Sequence, residues 1–248
     1  MASCTYRASN VRGTATGGTT TYTVSAMPTG NHAKGIVKVA WRLVGPDGAA
    51  PDPIVSVVVN GVTATHRFTH RMNTAGGTTS PFSAGISTFD VALDTGVALA
   101  EAVVTFDVEV NRRALAFYTT NDDVAFSNGA GGQTAYGAGA TSPVAVAISN
   151  LVVASGSFII GAARCASNGT ADSWDTPGLT EDAEGDSPPM VFTVASANEI
   201  SESPDIDLTS TFTTNGTNNI FDPMGTAVVF SPVEGGGLFS PSAGAPGR

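Results

Sequence analysis

Apolar residues recur at every second position over long stretches of this sequence, and this period restricts the fold more than any other feature. Between Val104 and Val110, valine and phenylalanine alternate with threonine, aspartate and glutamate. Successive side chains of a strand point to opposite faces, so the alternation predicts strands with one buried and one solvated face. No segment has the 3.6-residue period of an amphipathic helix. The sequence therefore predicts an all-β protein.

Clusters of glycine, proline, asparagine and aspartate separate the apolar segments and mark the turns between strands. The pair Asn60-Gly61 is the strongest turn signal, because both residues tolerate the positive φ angles of a two-residue hairpin. The predicted strands are residues 20–26, 37–44, 54–59, 62–68, 86–93, 102–110, 115–119, 144–148, 157–165, 190–195, 208–213 and 227–230.

This number of strands is expected to close into one domain, a two-sheet antiparallel β-sandwich over residues 20–232. The glycine- and alanine-rich residues 127–139 are predicted to form a long loop between two halves of the strand set. Connections as long as 168–189 favour a jelly-roll-like topology over a simple meander. Residues 1–19 and 233–248 are predicted to be extended N- and C-terminal arms.

The charge balance restricts the partners. Eleven Lys and Arg residues against 21 Asp and Glu residues give a formal net charge of −10, which repels phosphate backbones and anionic lipid surfaces. Neither nucleic acid nor membrane is therefore expected as a partner. No apolar segment approaches the roughly 20 residues needed to span a bilayer, and no export signal opens the chain, so cytoplasmic synthesis is expected.

Three groups of residues are candidate metal ligands. Histidines His66 and His70 are four residues apart, which in a strand separates them by roughly 13 Å, too far to share one ion. His32 has no partner nearby in sequence and is expected at the surface. An acidic segment within 172–186 leaves cation binding open, although its spacing is not that of an EF-hand. Its carboxylates are Asp172, Asp175, Glu181, Asp182, Glu184 and Asp186.

No arrangement typical of an active site is present. Cys4 and Cys165 are the only cysteines, and Cys165 lies in an apolar segment without an activating neighbour; their redox state stays open. The pair Asp205 and Asp207 would suit a glycoside hydrolase or lyase, but solvated aspartates entering a strand give the same pattern.

Other sequence features also carry little functional signal. The segment 129–132 is rich in glycine but lacks the lysine of a phosphate-binding loop. Exposed aromatic rings at Tyr118, Tyr136 or Trp174 could stack on a sugar. We predict no enzyme activity, with no catalytic, cofactor-binding or metal-binding residue and no cofactor.

Three segments together resemble a jelly-roll protein common in tailed bacteriophages. They are the strand-turn-strand at 55–65, the strand at 103–110, and residues 151–184, in which the apolar segment 157–163 precedes a polar stretch and the segment 174–182. The resemblance covers roughly residues 35–232.

The resemblance implies a structural protein of the virion, made in the host cytoplasm: a capsid decoration or cement protein, or a head fibre. Its partners would be other virion proteins, the major capsid protein or tail proteins, and a homo-oligomer is expected, with a trimer as one option. The alternative is a tail-fibre or spike module that binds a host receptor or glycan through the loops near 73–81 and 168–189. No catalytic residue is implied, and fold alone does not decide between head and tail.

Overall fold

The computed structural model describes residues 2–13, 18–29, 34–44, 52–73, 82–93, 97–110, 112–120, 123–133, 140–141, 143–167, 171–175, 178–187, 190–201, 203–214 and 219–233. Regular structure in these ranges is entirely β-strand, and the strands pair antiparallel, which confirms the predicted all-β sandwich class. Within the same ranges, no helix is long and apolar enough to cross a membrane.

The strands of the first half are β1 (Cys4–Gly13), β2 (Thr19–Pro28), β3 (Lys34–Val44), β4 (Ile54–Val59), β5 (Val62–Thr63), β6 (Thr65–Asn73), β7 (Phe82–Ala92), β8 (Leu99–Val110) and β9 (Arg112–Thr120). The strands of the second half are β10 (Val124–Gln133), β11 (Ala140–Thr141), β12 (Val144–Val153), β13 (Ser157–Ser167), β14 (Ala171–Asp175), β15 (Thr180–Ser187), β16 (Met190–Ile200), β17 (Ser203–Thr214) and β18 (Asn219–Pro232).

The first half forms a sandwich of two sheets. Sheet A has the strand order β1-β9-β3-β7-β6, and sheet B has the order β2-β8-β4-β5. An apolar core fills the space between them, with Trp41 and Phe117 of sheet A packed against Val57, Val104 and other side chains of sheet B. The hairpin between β4 and β5 turns through Asn60 and Gly61, whose φ angles of 49° and 80° are those its sequence requires.

The second half repeats this plan. Sheet C has the order β10-β18-β13-β16-β15, with β11 also paired to β18, and sheet D has the order β12-β17-β14. The eight strands of each half can be numbered from 1 to 8 in chain order, with β5 and β6 counted as one strand and β11 left out. In this numbering the inner sheets A and C both have the order 1-8-3-6-5, and the outer sheets B and D both contain the order 2-7-4. The two halves therefore have the same strand order in their inner sheets and share the order of three strands in their outer sheets.

Sheets A and C pack face to face in the middle of the molecule. Their shared core includes Ile36 and Tyr118 from sheet A and Phe158, Phe192 and Phe230 from sheet C. The described residues therefore form four layers, in the order B, A, C and D, where the sequence predicted two sheets. The physical reason is that the central strands are buried on both faces, which lets two sandwiches share one interface.

Two segments differ from their predicted roles. The N-terminal segment 1–19 contains β1, which pairs with β9 along sheet A, and Ala2 and Cys4 belong to the central core. Residues 127–133, predicted as part of a loop, continue β10 along β18. Of the predicted C-terminal arm, only Val233 lies within the described residues, where its N–H donates to the carbonyl of Asp123.

Candidate functional site

A groove opens between sheets A and B because one strand changes sheet. Residues Val62 and Thr63 pair with β4 in sheet B, and from Thr65 onward the chain pairs with β7 in sheet A. The change of sheet occurs at Ala64, whose N–H donates to the carbonyl of Val57 at 2.8 Å. We call the resulting space the β4–β6 groove.

The β4–β6 groove holds a cavity of about 320 Å³. Its lining combines an apolar wall with polar groups at one end. The lining residues are Asp52, Ile54, Val55, Ser56, Val57, Thr63, Ala64, His66 and Phe89. Val55 and the nearby Val62 leave 63% and 50% of their surfaces exposed, so apolar surface continues from the cavity to the rim.

Within the described ranges, the edge of β4 is open along the groove. β4 pairs with β8 on one side, and on the other side β5 pairs only with Val58 and Val59. Apart from the bond from Ala64 to Val57, no strand of the described chain borders residues 54–57 on that side. An open strand edge of this kind can accept the backbone of another extended chain.

A hydrogen-bond network fixes the polar end of the groove. The Asp52 carboxylate accepts from the Ile54 N–H at 3.0 Å and from the Thr69 hydroxyl at 3.0 Å. Thr69 also contacts the buried Ser87 hydroxyl at 2.8 Å and His66 Nε2 at 2.7 Å. Because Thr69 has a single hydroxyl proton, donation to Asp52 requires it to accept from His66.

This network is not arranged as a catalytic triad. In a triad the histidine bonds both the nucleophile and the carboxylate. Here Thr69 lies between His66 and Asp52, so the imidazole contacts the Thr69 hydroxyl and not the carboxylate. The arrangement instead holds the start of β4 against β6 and β7, which sets the width of the groove.

The candidate metal ligands that the structure describes do not converge on one point. In the acidic segment, Asp182 accepts a hydrogen bond from the Tyr118 hydroxyl at 2.8 Å inside the A–C interface. Burial and the nearby Asp182 carboxylate hold the pKa of Tyr118 well above its ordinary value. The described portion of the chain contains no group of three His, Cys, Asp or Glu side chains placed to hold a metal ion.

The remaining candidates are distributed over the molecule. His66 is exposed in the groove, whereas His70 is half-buried on the same strand and burial lowers its pKa. Asp207 is exposed on β17, where it accepts from the Asn150 N–H at 3.2 Å. Tyr118, which was considered as an exposed sugar-stacking ring, is fully buried.

Several candidates cannot be assigned a position. His32, Tyr136 and residues 74–81 lie outside the described residues, as do the side chains of Asp172, Trp174, Asp175, Asp186 and Asp205. Gly129, Gly131 and Gly132 belong to β10; the first two pack on the side chains of Phe68 and His70, and Gly132 packs on the backbone of Ala147. Asp52, Thr69 and Ser87 were not predicted from the sequence, since polar residues of these types are common at strand ends and carry no spacing signal.

Both cysteines are free and buried, and burial raises the pKa of each thiol to about 12. The thiolate is the reactive form, so neither thiol should react in the native protein. We expect Ellman's reagent at pH 8 to label neither Cys4 nor Cys165 before unfolding and both after addition of denaturant. Rapid labelling of the native protein would contradict the buried positions.

The chain matches no protein-family model, no curated protein and no solved structure.

Proposed function

We propose that this protein is a structural subunit of a tailed-phage virion, a capsid decoration, cement or head-fibre protein that contacts its neighbours through the β4–β6 groove. The observation that carries the proposal is the open edge of β4 beside an apolar cavity. Addition of a strand to such an edge joins protein chains through backbone hydrogen bonds, and flanking pockets select the side chains. No chemical reaction is required for this role.

The proposed occupant of the groove is an extended segment of a neighbouring virion protein. Its backbone would pair with residues 54–57, and one apolar side chain would enter the cavity lined by Ile54, Val57 and Phe89. Both oxygens of the Asp52 carboxylate at the polar end already accept hydrogen bonds from the protein. The rest of the lining is mostly apolar, so apolar side chains at alternate positions are favoured there.

The sequence resemblance and the charge of the chain support a place on the outside of a particle. A formal net charge of −10 opposes contact with packaged nucleic acid. The central sheets A and C are buried against each other, which leaves sheets B and D on the two outer sides. Sheet B contains the open edge of β4.

The direct test is mass photometry of the purified protein alone and mixed with tail-less capsids, followed by electron microscopy of the bound fraction. Regular density at lattice positions of the capsid is the expected result. Failure to bind capsids, with binding to tail tips or host cells instead, would contradict the head assignment and favour the tail-fibre alternative.

A charge in the groove should abolish this binding. The substitution Val55→Asp places a carboxylate on the groove rim, where an added strand would bury it without a partner. We expect capsid affinity to fall at least about tenfold, which is a change of roughly 1.4 kcal/mol. The matched control is Val152→Asp on sheet D, since Val152 is 52% exposed and lies far from the groove in sequence and in sheet order.

The binding constants of both variants would be measured by titration of capsids, with circular dichroism to verify that each variant is folded. Equal affinity of Val55→Asp and Val152→Asp would exclude the groove as the contact, even if the protein decorates capsids.

A further inference from the structure

The open edge of β4 is a surface that native proteins usually cover. In the part of the chain that the structure describes, the bond from Ala64 to Val57 is the single backbone contact on the groove side of residues 54–57. Val55 and Val62 at the rim are at least half exposed. An apolar open edge pairs readily with other chains, so proteins blunt it or cover it. A segment of the same chain is available as a cover before any partner binds.

The last described residue lies close to the groove. Val233 donates its N–H to the carbonyl of Asp123 at 3.2 Å, and the Asp123 carboxylate lies 3.9 Å from Lys34 Nζ. Lys34 Nζ lies 3.5 Å from the carboxylate of Asp90, which is directly opposite Thr65 in the β6–β7 ladder. Thr65 is flanked in sequence by two residues that line the groove. A short series of contacts therefore connects Val233 to the wall of the groove.

The residues that follow Val233 are long enough to reach the groove. The sequence continues for fifteen residues, beginning with Glu234 and three consecutive glycines, and Leu238 is the fifth of them. Glycine imposes few restrictions on the direction of a chain. Five extended residues span about 17 Å, which exceeds the roughly 10 Å between two packed sheets. Leu238 is therefore within reach of the groove from the end of β18.

The sequence of this segment suits the lining of the groove. Leu238 and Phe239 are its only large apolar residues. Neighbouring residues of an extended chain point to opposite sides, so one side chain can enter the cavity while the other covers the apolar rim. A cavity of about 150 Å³ holds a benzene molecule, and the groove offers about 320 Å³. Pro241 has no N–H, which would end the pairing of strands two residues later.

We propose that residues 234–241 occupy the β4–β6 groove of their own molecule, with their backbone paired to residues 54–57 and Leu238 or Phe239 in the cavity. This inference rests on the proposed function, because it concerns the regulation of the same contact surface. A segment tethered in this way acts at an effective concentration of about 1 mM. It fills the groove about ten to one if its separate dissociation constant is about 0.1 mM, and a segment of a capsid protein must displace it.

A disulfide in the full-length protein tests the contact directly. The variant Val55→Cys with Ser240→Cys keeps the apolar pair and places one thiol on the groove rim and one beside that pair. The native cysteines are buried and should not compete. Val152→Cys with Ser240→Cys is the matched control, since Val152 is 52% exposed on sheet D. We expect the intramolecular disulfide, measured by peptide mapping, at least about tenfold more often with Val55 than with Val152.

Equal yields for the two cysteine pairs would overturn the proposal. A mixture of the single variants Val55→Cys and Ser240→Cys tests for exchange between molecules. If the mixture forms the disulfide as readily as the double variant, the segment occupies the groove of another copy and the proposal is also overturned.

Amide hydrogen exchange of the full-length protein gives the second test. In the variant Leu238→Ser with Phe239→Ser, we expect exchange within residues 54–57 to rise about tenfold, because the paired edge loses its cover. Ala243→Ser with Ala245→Ser is the matched control, since it changes the sequence after Pro241 and should leave the exchange as it was. Unchanged exchange in the first variant would overturn the proposal.

The capsid titration separates this inference from the proposed function. Without its cover, the variant Leu238→Ser with Phe239→Ser should bind capsids about tenfold more tightly than the unmodified protein. The expected disulfide and exchange results without any capsid binding would contradict the proposed function and leave this inference intact. Capsid binding that Val55→Asp abolishes, without the disulfide, would overturn this inference and leave the proposed function intact.

Discussion

The substitution Trp41→Ala should lower the free energy of unfolding by about 3–5 kcal/mol, the usual cost of removing a large buried aromatic side chain. Trp41 is fully buried between sheets A and B, and its indole lies directly on Gly85 of the neighbouring strand. The backbone around it belongs to ladders on both sides of β3, so the cavity cannot close by movement of one strand. Equilibrium unfolding in urea, monitored by circular dichroism, would measure the change.

The control for Trp41 is Val55→Ala, at an exposed position where the expected change is within about 0.5 kcal/mol. A loss below 1 kcal/mol for Trp41→Ala would mean that sheets A and B are not packed as described. Because the two halves share a core, a single cooperative transition is expected for both variants.

The second large effect is expected for Gly132→Ala. A β-carbon at Gly132 would overlap the carbonyl oxygen of Ala147, a backbone atom of β12 that cannot rotate away. The clash should force β10 and β12 apart and lower the free energy of unfolding by about 3 kcal/mol or more, the upper end of the range for overpacking.

Gly225→Ala provides a matched control, because Gly225 lies directly opposite Gly132 in the β10–β18 ladder. The nearest atom to a β-carbon there would be the δ-methyl group of Ile148, at 3.0 Å, and that methyl group can shift. We expect a loss of about 1 kcal/mol or less. Equal losses for the two variants in the same urea experiment would contradict the close approach of β10 to β12.

Alternation in the sequence was sufficient to predict the class of fold and many strands. The predicted strand 102–110 lies within β8, whose inward residues Ala102, Val104 and Phe106 are buried. The same reasoning placed the hairpin at Asn60 and Gly61. In both places the local sequence and the tertiary structure favour the same backbone conformation. The local pattern was therefore sufficient to predict the structure.

The number of sheet layers cannot be predicted from the alternation of apolar and polar residues alone. Residues 114–118 of β9 are apolar at every position and buried on both faces, which is a sign of a central sheet. Alternation alone does not distinguish such segments from ordinary sandwich strands. Continuous apolar segments in several strands were the available signal for a third and fourth layer.

The glycines of β10 were predicted to form a loop, whereas they lie in a strand. Gly129 lies against the ring of Phe68 and Gly131 against that of His70, so these glycines allow close packing of strands.

β1 was not predicted because its sequence is polar, and its position depends on pairing with β9. The β4–β6 groove depends on the change of sheet at Ala64, for which residues 62–68 contain no distinctive signal.

The face-to-face contact of sheets A and C has a consequence for assembly. Equivalent sheets of two similar units meet in the same way in a twofold-symmetric dimer, where one patch contacts its own copy. Here both units belong to one chain, so the surface that would otherwise drive dimerisation is already buried inside the molecule. The two units differ in sequence, so their outer sheets B and D are not interchangeable. One molecule therefore presents two different outer surfaces.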